Sequence, residues 1–265
     1  MLRLIDRRSW MLGSLGGALG GAMGALSGCT TAPVAPVAPV APVAPAPGRV
    51  AAFSASPPNG RVPAGWAELS LRPGKTPTRY TAVRDGSRTV LHARASQGAS
   101  ALQASVNIDT SGQPRLRWSW RVAQAPELAS VSHADDDDAP VRLLIGFDGD
   151  HARLSVRDRL LFQQAELFTG HRPPFATLAY VWCGRTPPLT VVSNHRTGRL
   201  QYKVIESGMA SVGRWQHYER NLVADYRLAF GGEPPGRVIS VGVLTDSDAT
   251  GSVFEAWYGD ISISA

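Results

Sequence analysis

The chain has 265 residues, 43% of them hydrophobic and 18% charged, with a formal net charge of +6. Without its first 28 residues it keeps 24 basic and 20 acidic side chains. That excess is too small to imply nucleic acid, and no basic run or stacked aromatic motif accompanies it.

The N-terminal stretch "MLRLIDRRSWMLGSLGGALGGAMGALSGC" reads as an address rather than as part of a fold. "DRRSWML", with Arg7 and Arg8, resembles the twin-arginine export motif. Leu26 to Cys29 resembles the lipobox, in which the cysteine is acylated and becomes the first residue of the mature chain. A transmembrane anchor is the alternative, but the stretch is glycine-rich and shorter than the roughly 20 strongly apolar residues that a span requires. Residues 1–28 are therefore expected to be a lipoprotein signal and Cys29 a lipidation site. Residues 29–48 carry the repeat "APVAPVAPV", which favours an extended polyproline conformation and acts as a semi-rigid spacer of roughly 50 Å. Thr30 follows the cysteine where an aspartate would signal retention. By resemblance to known lipoproteins, this suggests an outer-membrane protein facing the periplasm, with the membrane as a partner through the lipid.

Residues 49–265 are long enough for one domain with a full core, and no second Pro/Gly-rich seam divides them. Once Cys29 is acylated Cys183 stands alone, so no internal disulfide can form, and its setting in "YVWCG" is that of a small buried hydrophobe.

Taken in order, the segments of this domain read mostly as strands. "PRLRWSWRV" sets Leu116, Trp118, Trp120 and Val122 against Arg115, Arg117, Ser119 and Arg121, the period-two pattern of a half-buried strand. "VRLLIGF", "ATLAYVW", "LTVVSN", "LQYKVIES", "RVISVGVLTD" and "FEAWYGDISIS" behave similarly, and turn signals such as "PPNG", "RDGS", "DTSGQP" and "SDATG" punctuate the chain. Only "RDRLLFQQAELFTG" and "RNLVADYRLAFG" have helical spacing. The expectation is an all-β fold, a β-sandwich of jelly-roll type with one or two short helices.

"LRWSWRV", "DDAPVRLLIGF", "LAYVWCG", "ERNLVADYRLAFG" and "VGVLTDSDATG" followed by "AWYGDI", in that order, resemble the bacterial family catalogued as domain of unknown function 3047. The resemblance runs from about Phe53 to Ile263 and implies a fold without a reaction. "FSASPPNGRVPAGWAEL" with the late strand "AWYGDISI" is more loosely similar to the galactose-binding-like jelly rolls of carbohydrate-binding modules.

Polar residues collect in these motifs. In "HADDDDAPVR" the family pattern takes in Asp137, Asp138 and Arg142, while Asp135 and Asp136 are extra loop charge. On an extended strand Asp138, Pro140, Arg142 and Leu144 share one face, leaving Leu143, Ile145 and Phe147 for the core. Arg117 and Arg121 are expected on the corresponding face of the preceding strand, where the plain alternative to a site is an ion-pair network. Arg220, Asn221, Asp225 and Tyr226 come from "ERNLVADY", and Asp246 and Asp248 from "TDSDATG". Aspartates alternating before a glycine resemble a calcium loop, but the glutamate that closes a twelve-residue EF-hand loop is missing, so the segment reads first as an Asx turn between two strands and second as a calcium site. Asp260 is a further calcium candidate through the jelly-roll resemblance alone. No G-x-S-x-G, H-E-x-x-H, C-x-x-C or phosphate-binding glycine loop is present, and the six histidines have no metal-ligand spacing.

The sequence thus points to a noncatalytic ligand-binding domain, with glycan as the expected ligand. Its site is expected to join Asp138, Arg142, Arg220, Asn221, Asp225 and Asp246 to the rings of Trp182 and Tyr226, and no cofactor is implied beyond a structural calcium at Asp246, Asp248 or Asp260. Two alternatives stand beside it: a carbohydrate-active enzyme using an Asp/Arg cleft, and a purely structural lipoprotein.

Overall fold

A computed structural model describes residues 48–264 except Ala125 and Leu128. The signal, Cys29 and the Ala-Pro-Val spacer lie outside the described residues. The described chain forms thirteen strands and two α-helices. The strands are β1 (Ala67–Ser70), β2 (Arg79–Asp85), β3 (Arg88–Ser96), β4 (Ala99–Ile108), β5 (Arg115–Val122) and β6 (Ala139–Phe147). After α1 (Val156–Thr169) come β7 (Ala176–Cys183), β8 (Val191–Ser193), β9 (Leu200–Ser207) and β10 (Gln216–Asn221). Helix α2 (Leu222–Phe230) leads to β11 (Val238–Asp246), β12 (Val253–Tyr258) and β13 (Ser262–Ser264).

These strands build the expected sandwich. One sheet runs β1-β4-β11-β6-β7-β9-β8, and the other runs β10-β5-β12-β3-β2, with β13 also paired to β5. Every pairing is antiparallel except β7 with β9. The chain passes from one sheet to the other between β4 and β5 and again between β5 and β6. This crossing corrects the placement of Arg117 and Arg121: they sit on the six-stranded sheet, not beside Arg142 on the seven-stranded one.

Alternation decides what is buried. Leu116, Trp118, Trp120 and Val122 of β5 face Val141, Leu143, Ile145 and Phe147 of β6 and Leu178, Tyr180 and Trp182 of β7 in one continuous core. Trp118 lies 4.9 Å from Tyr180 across the sheets and 5.6 Å from Trp120 on its own strand, ring centre to ring centre, so aromatic contact contributes to the packing between the sheets. On the outer side of the seven-stranded sheet a smaller apolar cluster holds Val131, Ala179, Val181, Cys183, Tyr202 and Val204. Cys183 is buried there, as its setting implied.

Both helices fall where the spacing placed them. Ser155 caps α1 by accepting from the Asp158 amide at 3.1 Å, while Asn221 caps α2 by accepting from the Ala224 amide at 2.9 Å. Each ends on a glycine in the left-handed region, Gly170 at φ 72° and Gly231 at φ 75°.

Trp182 is wholly buried on the inner face of β7, and its indole donates to the Gly208 carbonyl at 3.0 Å. It is a core residue, which corrects its assignment as a sugar platform. Trp182→Ala is expected to destabilise the domain by about 3–5 kcal/mol, the usual result of emptying a large aromatic from a core; a chemical-denaturation midpoint within error of the wild type would contradict this placement.

Candidate functional site

The aspartate run divides as its pattern suggested. Asp135 and Asp136 stand in a short 3-10 turn (Ala134–Asp136) that buries nothing. Asp137 and Asp138 turn inward beside Arg142, on the outer side of the seven-stranded sheet. Arg142 is buried, and its guanidinium donates to Asp137 Oδ1 at 3.0 Å, to the Asp137 carbonyl at 2.8 Å and to Asp246 Oδ1 at 3.1 Å, with a further contact to Asp246 Oδ2 at 2.9 Å. Burial alone would lower the arginine; the carboxylates of Asp246 and Asp137 outweigh it and lift the group well above its ordinary value. Tyr202 donates to Asp137 Oδ2 at 3.1 Å and its ring lies 5.2 Å below the guanidinium.

Asp138 is fully buried beside them, and its hydrogen bonds go elsewhere. Its carboxylate accepts from the amides of Ala249 and Thr250 at 3.1 and 2.7 Å and from the Thr250 hydroxyl at 2.7 Å. The "DSDATG" turn is therefore tied down by an aspartate from another loop and not by an Asx turn of its own. Oxygens of Asp138, Asp246 and Asp248 lie within 4.8 Å of one another, a spacing a hard cation could bridge. Those carboxylates already receive Ala139 N, Arg142, the turn amides and Lys75, the last 2.7 Å from Asp248. Asp260 is not among them: it accepts from the amide and hydroxyl of Ser54 at 2.9 and 2.5 Å.

A second polar knot lies inside the sandwich. Asp225, on α2, accepts from Arg220 at 2.8 and 2.6 Å and from the Tyr180 hydroxyl at 3.0 Å, and Lys203 Nζ stands 3.1 Å away. Burial pushes the Asp225 carboxyl up, but the hydrogen bonds from Arg220 and the Lys203 charge hold it below its ordinary value. Tyr226 is packed between Phe230 and Phe147 at 4.4 and 4.7 Å and is almost fully buried. It is core, and Asn221 is spent on capping α2. The expected single concavity is accordingly replaced by two knots, because Arg142 and Tyr180 belong to opposite faces of the seven-stranded sheet.

What the open face of the six-stranded sheet carries was not expected. Across it, Arg121 of β5, Trp257 of β12 and His92 of β3 are register partners. Arg88 lies 4.4 Å from the centre of the Trp215 ring, Arg121 lies 5.4 Å from Trp215 and 4.3 Å from Trp257, and Trp257 is 5.2 Å from His92. Guanidinium and indole alternate in a ladder. Asp85 binds both parts, accepting from Trp215 Nε1 at 2.8 Å and from Arg121 at 3.3 Å. Gly259 makes room for Ser119: a β-carbon there would collide with Ser119 Oγ, while it would meet the Trp215 indole only at ordinary contact distance.

Beside the ladder is a hollow of about 420 Å³ whose walls include Arg88, Arg117, His217, Glu219, Asp260 and Ser119. Glu219 is held below the usual carboxylate range by its hydrogen bond from Arg117, 2.9 Å away. Arg88 has no carboxylate partner among the described residues, and its guanidinium is steadied by Trp215. The outward positions Arg88, His92 and Arg94 of β3 were the available signal in the sequence. Trp215, in the connection before β10, had none.

A two-sheet sandwich with a charged hollow on one open face is the class of protein these features define. The chain belongs to the family described as Protein of unknown function (DUF3047), which matches residues 64–262. No curated protein matches it. Among solved structures it is similar to the K2 cleaved adhesin domain of Lys-gingipain, at 10% identity and TM-score 0.38 over 82% of this chain and 100% of that one. The K3 cleaved adhesin domain of Lys-gingipain from Porphyromonas gingivalis w83 gives 11% and 0.33 over 78% and 95%. An arabinose-bound α-L-arabinofuranosidase gives 12% and 0.38 over 80% of this chain but only 25% of the enzyme.

The buried knot at Arg142 has a pH signature. Burial pushes Asp246 up to about 7, with Asp138 and Asp137 adding to the rise against the pull of Arg142. A carboxyl that binds its proton more tightly in the fold adds stability fully present below about pH 4 and lost as pH rises through about 7. Between pH 4 and pH 8 the melting temperature of the wild type should therefore fall relative to that of Asp246→Asn; parallel profiles would contradict it. Arg142→Met, which strands buried carboxylates, should cost about 3–5 kcal/mol.

Proposed function

We propose that the protein is a lipid-anchored envelope protein whose sandwich binds glycan at the open face of the six-stranded sheet without chemical turnover. The observation that carries this reading is the charged hollow with an unpaired, indole-steadied arginine. Its volume lies in the range of small-ligand sites, and its walls mix guanidinium, imidazole, carboxylate and hydroxyl, the donors and acceptors that answer a hydroxyl-rich ligand. Arg88 favours a sugar that also bears a carboxylate or phosphate, because the guanidinium fork bonds an anion in two places.

Two carboxylates face the hollow, yet the arrangement does not favour hydrolysis. Glycoside hydrolysis needs one carboxyl kept protonated as an acid. Glu219 is held in the opposite direction by Arg117, and Asp260 is engaged by Ser54.

The test is a glycan array with a pull-down of envelope polysaccharide, scored for retention and for new reducing ends. Arg88→Gln, which leaves the core intact, should weaken retention about tenfold, as expected for one lost charged hydrogen bond, and more at low salt than at high salt. Retention unchanged by Arg88→Gln would remove the hollow as the site. Turnover would make the protein an enzyme, and a folded domain that retains no glycan would leave the structural-lipoprotein reading.

Anchoring rests on Leu26 to Cys29 and the spacer behind it. Cells labelled with a fatty-acid probe should incorporate it into the wild type and not into Cys29→Ser; equal labelling would end that part of the proposal.

A further inference from the structure

Helix α1 carries an apolar face that nothing in the domain covers. Of its 14 residues only Phe162 is buried, while Val156, Leu160, Leu167 and Phe168 are 72%, 61%, 79% and 55% exposed. At about 100° per residue, Val156, Leu160 and Leu167 fall within roughly 40° of one another on the side away from Phe162, with Gln163 beside them and Phe168 about 100° round the helix. A lone exposed leucine needs no explanation; a stripe of them along one helix does.

The charge around the stripe is one-sided. Arg153, Arg157, Arg159 and Arg196 are exposed and have no carboxylate partner among the described residues. The acids of the helix are already engaged. Asp158 accepts from the hydroxyls of Ser155 and Thr197 at 2.8 and 2.6 Å, and Glu166 from Arg172 at 3.2 Å. What covers α1 must therefore offer apolar matter for the stripe and negative charge for its rim.

We infer that α1 is a membrane-contact helix that lies in the surface of an anionic phospholipid bilayer. Apolar side chains along one face with arginines at the edges are the pattern of a helix seated at the boundary of headgroups and acyl chains. The guanidiniums pair with headgroup phosphates. Leu160, Leu167 and Phe168 line one open hollow with Arg157 and Arg196, so the same surface offers apolar and cationic contact together. This inference stands apart from both the glycan reading and acylation at Cys29.

The described residues contain both sheets and the whole core, so the chain from Thr30 onward, without signal or Cys29, serves for the test. It is co-sedimented with vesicles of phosphatidylcholine alone and of phosphatidylcholine with phosphatidylglycerol. Binding is expected to the mixed vesicles only, weakening as salt is raised. The double substitution Leu160→Ser with Leu167→Ser should abolish it without changing the circular dichroism spectrum, since both side chains are already exposed. Arg157→Gln and Arg196→Gln should each weaken it about fivefold, as for the loss of one basic residue near a charged surface. A folded chain that binds neither vesicle, or binds both equally, would overturn the inference. So would a concentration-dependent dimer, dissolved by the same leucine substitutions and indifferent to vesicles, which would assign the stripe to a second copy.

Discussion

The buried guanidinium of Arg142 is the interaction on which one end of the sandwich depends. It stands on β6 in the middle of the seven-stranded sheet, and it is held by Asp137 from the loop before that strand and by Asp246 from the end of β11. A charge this deep is tolerable only when its donors are met, since an unpaired ion out of water costs several kcal/mol. Each aspartate that meets it brings a piece of chain with it. Asp137 fixes the loop, its neighbour Asp138 reaches across to tie down the turn between β11 and β12, and Tyr202 joins β9 to the same cluster. The run of four aspartates is thus half solvent-exposed charge and half the acidic part of a structural knot.

The Asp225 knot works in a similar way on the opposite face of the same sheet. Lys203 is only 1% exposed, and its neighbours Tyr180, Arg220 and Asp225 come from β7, β10 and α2. One carboxylate meets three donors, so α2 is attached to the sandwich both by its apolar face and by a charge network. Buried networks of this kind specify an arrangement when fully satisfied. In both knots the carboxylates of Asp137, Asp138, Asp225 and Asp246 accept from groups brought in by other elements, so these residues hold parts of the fold together.

The surfaces that the core does not need carry a different set of side chains. On the six-stranded sheet the outward side chains are polar by the same alternation that buries Leu116, Trp118 and Trp120. There the cation–aromatic ladder keeps two arginines rigid where free side chains would lose entropy on binding. Helix α1 exposes apolar side chains for the opposite reason: it packs on the sandwich along one side, through Phe162 and Leu161, and the side away from them meets no part of the core.

Strand alternation made the sandwich, the core position of Trp118 and Trp120, both helices and the division of the aspartate run readable without a structure, because period and charge are local properties of the chain. Strands β2 to β4 were harder to see, since "RYTAVRD", "RTVLHARAS" and "ASALQASVNI" alternate small or interrupted apolar residues and bury little per residue. The site was misread for a different reason. Trp182 and Tyr226 carry polar atoms that suit a sugar, yet whether a ring faces solvent depends on which sheet its strand joins and on what covers that face. Asp225 and Arg142 lie among equally polar neighbours in the sequence, yet they end on opposite faces of one sheet. Residues far apart along the chain, Arg88, Arg121, Trp215 and Trp257, meet only because β5, β12 and β3 are laid side by side and the connection before β10 folds over them. The sequence alone determined the elements and their buried faces, which follow from local periodicity. Tertiary structure alone decided which polar groups converge, because convergence depends on strand order and register between distant segments, to which local pattern is blind.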